Sequence, residues 1–178
     1  MQKIISVVTV VAATALFAPQ AGAVENIYRP YVGAAYSYDI GRAAGHHSFN
    51  NGGAVILGST YNPYFGTEVF YQYSDKDNGS RARFQAYGLD MAAYLPLGCD
   101  GTIAPVATLG IGEYTVKTDY RLAKDRRDTG YGYRLGGGLR YNFDDRTSVT
   151  ALVRHINLDH IDKYDHITEY SLAIKYIF

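Results

Sequence analysis

In "YGYRLGGGLRYNF", residues 131–143, Tyr131, Tyr133, Leu135, Leu139, Tyr141 and Phe143 take the odd positions, while Gly132, Arg134, Gly136, Gly138, Arg140 and Asn142 take the even ones. Side chains along a strand point alternately to opposite faces, so this segment is a strand with one aromatic, apolar face and one face of small and charged groups. The last ten residues, "EYSLAIKYIF", repeat the pattern: Tyr170, Leu172, Ile174, Tyr176 and Phe178 alternate with Glu169, Ser171, Ala173, Lys175 and Ile177. A frayed terminus has no need of such order.

Segments of this kind, separated by turn-forming clusters, predict eight strands: 30–40, 53–62, 66–75, 83–95, 102–117, 131–143, 147–158 and 167–178. In the first, Val32, Ala34, Tyr36 and Tyr38 share one face and Gly33, Ala35 and Ser37 the other. The third sets Thr67, Val69, Tyr71 and Tyr73 against Glu68 and Gln72, and the fourth sets Tyr87, Leu89, Met91, Ala93 and Leu95 against Gly88 and Asp90. The second, fifth and seventh are less regular: Leu152 and Ile156 fall on the otherwise polar face, and Glu113 interrupts the apolar face, which predicts a bulge or a membrane rim beside it.

The connections alternate in length. "NPYF", "PLGCDG" and "DDR" are short and rich in turn formers, whereas "GRAAGHHSFNN", "DKDNGSR", "TDYRLAKDRRDTG" and "DHIDKYDH" are longer and polar. Short turns at one end and long loops at the other, joining strands of about ten residues, is the layout of an outer-membrane barrel. An even strand number puts both termini on the short-turn side.

The N-terminus agrees with export. Lys3, the apolar stretch 4–17 and the small-residue site Ala21-Gly22-Ala23 make residues 1–23 a secretory signal peptide, leaving 24–178 as one domain. The formal net charge is zero, so no nucleic-acid footprint and no basic membrane anchor are visible. With one cysteine, Cys99, no internal disulfide holds the fold; it is read as a free thiol in a tight turn. Tyrosine is abundant at 18 residues and tryptophan absent. Tyr28, Tyr31, Tyr61, Tyr64, Tyr94, Tyr131, Tyr141, Tyr164 and Tyr176 lie near strand ends and are expected to form interfacial girdles rather than a carbohydrate-stacking patch. Signal peptide, aromatic strand ends and alternating loop lengths together favour lipid outside and a polar interior over an aqueous sandwich. The predicted fold is all-β: an eight-stranded antiparallel transmembrane β-barrel, an up-and-down meander.

The stretches "YVGAAYSY", "NPYFGTEVFYQYSD", "YLPLGCDGTIAPVATLGIGEY" and "GYGYRLGGGLRYNFDDRTSVTALVRH", with the terminal Phe, resemble the transmembrane domain of the small OmpA-like, OmpX-like and opacity-type outer-membrane proteins. The likeness spans the mature chain and is specific for fold and for location in the bacterial outer membrane. No periplasmic peptidoglycan-binding domain is expected after the barrel. The resemblance implies that Tyr170, Leu172, Ile174, Tyr176 and Phe178 form the signal read by the outer-membrane assembly machinery, besides facing lipid and closing the barrel.

Parity turns Glu68, Asp90 and Glu169 inward with Arg134, Arg140, Arg154 and Lys175, and so many charges in a narrow lumen predict an ion-pair network that plugs it. An enzymatic reading fails at its reacting atom. "RHIN", 154–157, with Glu169 downstream is somewhat similar to the segment of the lipid A deacylases, but the nucleophile position is Asn157, an amide, and parity sends His155 outward. "HHS", 46–48, has nothing to orient a base, and Asp159, His160, Asp162, Asp165 and His166 match no closed metal site. No cofactor or metal is expected. The basic loop residues Arg121, Lys124, Arg126 and Arg127 are read as a solvated face, with lipopolysaccharide phosphates or host polyanions as the sharper alternative. The expected function is therefore a monomeric structural and surface-interaction barrel acting in adhesion, serum resistance or envelope integrity. Its partners are outer-membrane lipid, the assembly machinery and host or surface ligands at the loops. The alternative is a small-solute transport barrel or a lipid A-modifying enzyme of the deacylase kind, whose nucleophile position is Asn157 here.

Overall fold

The computed structural model describes residues 28–43, 46–75, 82–97, 101–118, 126–159 and 166–178. They form eight strands: β1 (Arg29–Ala43), β2 (His46–Asn62), β3 (Phe65–Ser74), β4 (Ala82–Tyr94), β5 (Ile103–Thr118), β6 (Arg126–Asn142), β7 (Thr147–Asp159) and β8 (His166–Ile177). Each pairs antiparallel with its neighbour in sequence, and β1 pairs with β8, so the sheet closes into a barrel. Closure leaves no strand edge, which is what hydrocarbon demands of backbone N–H and C=O groups.

The short turns follow from their residues. Asn62 Oδ1 accepts the Tyr64 N–H at 2.8 Å before β3, and Asp144 Oδ1 accepts the Arg146 and Thr147 N–H groups, each at 2.7 Å, before β7. Gly101 precedes β5 at φ 58°, a left-handed conformation that suits glycine.

Two expected loops are sheet in part. β1 and β2 stay paired from Gly41↔Ser48 to Ala43↔His46, where 41–51 was expected to be loop, and β6 begins at Arg126 rather than Tyr131. Backbone pairing continues past the lipid belt, where no apolar stripe marks a strand. No bulge lies at Glu113; it sits in unbroken register between Tyr87 and Tyr131, at the membrane rim, and the irregularity in pairing is between Thr60 and Asn62.

The lumen is more apolar than alternation predicts. Ile56, Phe70, Phe84, Tyr114, Ile156 and Ile167 are buried there along with the charged groups, because an eight-stranded barrel is just wide enough to be filled by side chains and packs like a core. Tyr31 and Tyr94, expected in the girdles, are buried inside as well: their parity, not their nearness to a strand end, decides their face. Tyr164 and Cys99 lie outside the described residues.

Candidate functional site

The outer surface carries Tyr36, Val55, Leu57, Tyr71, Met91, Leu109, Ile111, Leu135, Leu139, Val153, Leu172 and Ile174, all exposed and drawn from every strand. A contiguous apolar surface of this extent marks a membrane contact. Aromatic rings border it. On the turn side Tyr141 and Phe143 meet edge-on with centroids 5.0 Å apart, and so do Tyr176 and Phe178 at 5.6 Å. On the loop side stand Tyr131, Tyr170 and the stacked pair Tyr38 and Phe49. From Tyr131 to Tyr141 is about ten residues at roughly 3.3 Å each, which on a strand tilted by about 40° is roughly 25 Å of height, the thickness of an outer-membrane apolar band.

The interior is the reverse. Arg134 Nε donates to Asp90 Oδ1 at 2.6 Å while its Nη2 reaches Asp90 Oδ2, a bidentate pair, and its guanidinium carbon lies 3.3 Å from the Phe70 ring centroid. Its Nη1 is 3.9 Å from Glu169 Oε2, and Arg154 Nη1 donates to Glu169 Oε1, so Glu169 is shared between two arginines. Lys175 Nζ donates to Glu68 Oε2 at 2.8 Å. Gln72 Nε2 donates to Ser37 Oγ at 3.1 Å and Asp39 Oδ2 at 3.3 Å. All these charged groups are buried. Gly110 and Gly136 make the room: a Cβ on Gly110 would stand 1.8 Å from Asp90 Oδ1, and one on Gly136 would stand 2.6 Å from Arg154 Cγ.

Arg140, grouped with these residues by parity, stands apart at the turn-side mouth. Its Nε donates to Asn142 Oδ1 at 2.8 Å, its guanidinium carbon lies 5.1 Å from the Tyr94 ring centroid, and it borders a polar depression of about 350 Å³ with Arg29 and Asp144. Sequence reasoning missed Asp39 and Gln72 as members of one cluster; both are inward by parity, but their partnership depends on strand stagger.

The enzyme-like segment divides between two faces. His155 is exposed on the outside, its ring 5.3 Å from that of His166, while Glu169 is buried within and Asn157 Nδ2 donates to Tyr133 Oη at 3.0 Å. His155 and Glu169 therefore cannot act together. His160, Asp162 and Asp165 lie outside the described residues, as do the side chains of 46–48.

Apolar outside, charged inside and closed by β1–β8 pairing, the molecule is built for a bilayer. The family model of the outer membrane protein beta-barrel domain matches residues 9–178. The chain belongs to this outer-membrane β-barrel family. Solved structures with the same fold include Neisserial surface protein A, at 14% identity and TM-score 0.66, covering 88% of this chain and 100% of that one. Ail, the attachment invasion locus protein of Yersinia pestis in complex with the heparin analogue sucrose octasulfate, is similar at 15% identity and TM-score 0.59, covering 85% and 97%. Outer membrane protein H (OprH) of Pseudomonas aeruginosa is similar at 17% identity and TM-score 0.58, covering 84% and 99%. No curated protein sequence matches the chain. As a member of this family the protein resides in the bacterial outer membrane. Its terminal stripe, Tyr170, Leu172, Ile174, Tyr176 and Phe178, is exposed to lipid, and Phe178 N–H donates to Pro30 C=O at 3.0 Å where β8 closes on β1.

Proposed function

We propose that this barrel is a sealed scaffold that displays its long-loop end at the cell surface for adhesion or envelope protection, and that it catalyses nothing. The observation that carries this reading is the shape of the loop end. The β1–β2 hairpin continues past Tyr38 to Ala43, the β5–β6 hairpin continues past Tyr131 to Arg126, and the two stand on opposite sides of the strand ring. Paired strands that carry a hairpin above a membrane can hold a recognition surface. Neisserial surface protein A and the attachment protein Ail use the same fold, which supports the choice of role without fixing a ligand. The test is an adhesion assay with cells expressing a barrel shortened at 41–51 and 118–130. Reduced adhesion with unchanged barrel yield is expected; adhesion equal to that of the full chain would refute loop-mediated binding.

Two processing steps complete the proposal. Residues 1–23 are removed on export, so N-terminal sequencing of the membrane form should begin near Val24. The alternating stripe ending at Phe178 is the segment read by the assembly machinery.

A further inference from the structure

Arg29 opens β1, Tyr94 ends β4 and Arg140 lies near the end of β6, so all three stand at the short-turn mouth of the barrel. Each has inward parity: Arg29 with Tyr31, Tyr94 with Asp90, and Arg140 with Arg134. Together they line a cavity of about 210 Å³, many times what a single water needs. Pro63, Pro96 and Ile177 add an apolar stretch to its wall.

Charge does not balance at this cavity. Arg29 and Arg140 are half-buried and, among the described residues, neither forms an ion pair. Arg29 donates from Nη2 to the Asp145 backbone carbonyl and Arg140 from Nε to Asn142 Oδ1, both neutral acceptors. Among the described residues no carboxylate lines the cavity. Asp144 and Asp145 border the adjoining depression instead, and Asp144 Oδ1 is taken by the Arg146 and Thr147 N–H groups. The Tyr94 hydroxyl is buried without a hydrogen-bond partner.

Two guanidinium groups turned into one partly enclosed space repel each other, and a buried hydroxyl without a partner is costly. A negatively charged acceptor answers both. Guanidinium forks match carboxylates with two parallel bonds, a phenol can donate to the same group, and the prolines with Ile177 suit a hydrocarbon stem better than a bare inorganic ion.

We infer that the turn-side cavity binds a small organic dicarboxylate, with Arg29 and Arg140 holding its carboxylates and Tyr94 donating to one of them. Its two negative charges offset the two arginines. The lumen pairs Arg134–Asp90 and Arg154–Glu169 lie further in, so the ligand enters and leaves by the mouth it occupies. With the long loops outward, this mouth opens to the periplasm. The site stands apart from the loop end and does not depend on what the loops bind.

The test is calorimetric titration of the folded full barrel in detergent micelles, with succinate as the probe. Wild type should bind one succinate per chain, more weakly as salt is added. Arg140→Gln and Arg29→Gln should each weaken binding at least about tenfold, the order of one lost charged hydrogen bond. Tyr94→Phe keeps the ring and should weaken binding several-fold without lowering the unfolding midpoint of the ligand-free barrel. No saturable binding by wild type at millimolar succinate overturns the site, and undiminished binding by either arginine variant overturns its assignment. If Arg140→Gln does not assemble, Arg29→Gln carries the test alone. Equal binding of inorganic phosphate overturns the organic ligand, and equal binding of neutral succinamide overturns recognition by charge.

Discussion

Lys175 on β8 and Glu68 on β3 meet at 2.8 Å although 107 residues separate them and the strands β1 and β2 stand between. The pair spans the lumen rather than joining neighbours in the sheet. It works as a strut, and both of its charges are buried. Removing one partner strands the other charge, at a cost of about 3–5 kcal/mol, whereas replacing both by apolar groups of similar size is far less harmful. We expect Lys175→Met alone to lower stability by that order, Glu68→Gln alone to lower it as well, and the double variant Glu68→Gln, Lys175→Met to recover much of the loss. Chemical denaturation of the four proteins in one lipid system measures the coupling; strictly additive single effects would mean that the groups do not pair.

Gly110 is expected to tolerate no side chain. A methyl there would meet Asp90 Oδ1 at 1.8 Å and the Leu89 carbonyl oxygen at 2.8 Å, so it must displace the carboxylate from Arg134. Gly110→Ala should therefore destabilise the barrel by about 3 kcal/mol or more, the order associated with a broken buried pair. Gly137, whose added Cβ meets nothing nearer than 3.6 Å, is the control. Equal stability of Gly110→Ala and Gly137→Ala would contradict the geometry.

Much of this was legible in the sequence, because lipid and lumen impose opposite preferences on alternate residues: the number of strands, the faces of Tyr131 to Phe143, and the inward turn of Glu68, Asp90 and Glu169 all follow from period two. Three things were not. The strand extensions at 41–43 and 126–130 carry no alternating apolar stripe, so no pattern separates them from loop. Tyr31 and Tyr94 looked like girdle residues because strand ends attract tyrosine, but parity sends them into the lumen. Which acid meets which base depends on strand stagger and on depth in the barrel, so the distance between Lys175 and Glu68 was out of reach.

The β6–β7 turn should show a signature in pH. Backbone N–H groups of Arg146 and Thr147 hold the Asp144 carboxyl below its ordinary value. A carboxyl depressed by folding contributes stability above its unfolded pKa of about 3.9 and loses it as pH falls through the lower folded value. Asp144→Ala should thus be less stable than wild type at neutral pH, with the gap narrowing in acid. A gap independent of pH would point to loss of turn geometry alone.

Phe178 and Ile177 are adjacent but face lipid and lumen respectively. Phe178→Ser should lower the yield of assembled barrel sharply, while Ile177→Val, a mild change inside the lumen, should leave yield near wild type. Heat-modifiable migration of membrane fractions reads both. Unimpaired assembly of Phe178→Ser would remove the proposed role of the terminal stripe.

Whether the lumen conducts separates a display scaffold from a transporter, and planar-bilayer recording addresses it directly. With Phe70, Arg134, Asp90, Glu169 and Ile156 packed across the interior, the pure protein should show no large, continuously open conductance. A steady large conductance from the same preparation would contradict the account and establish transport in its place.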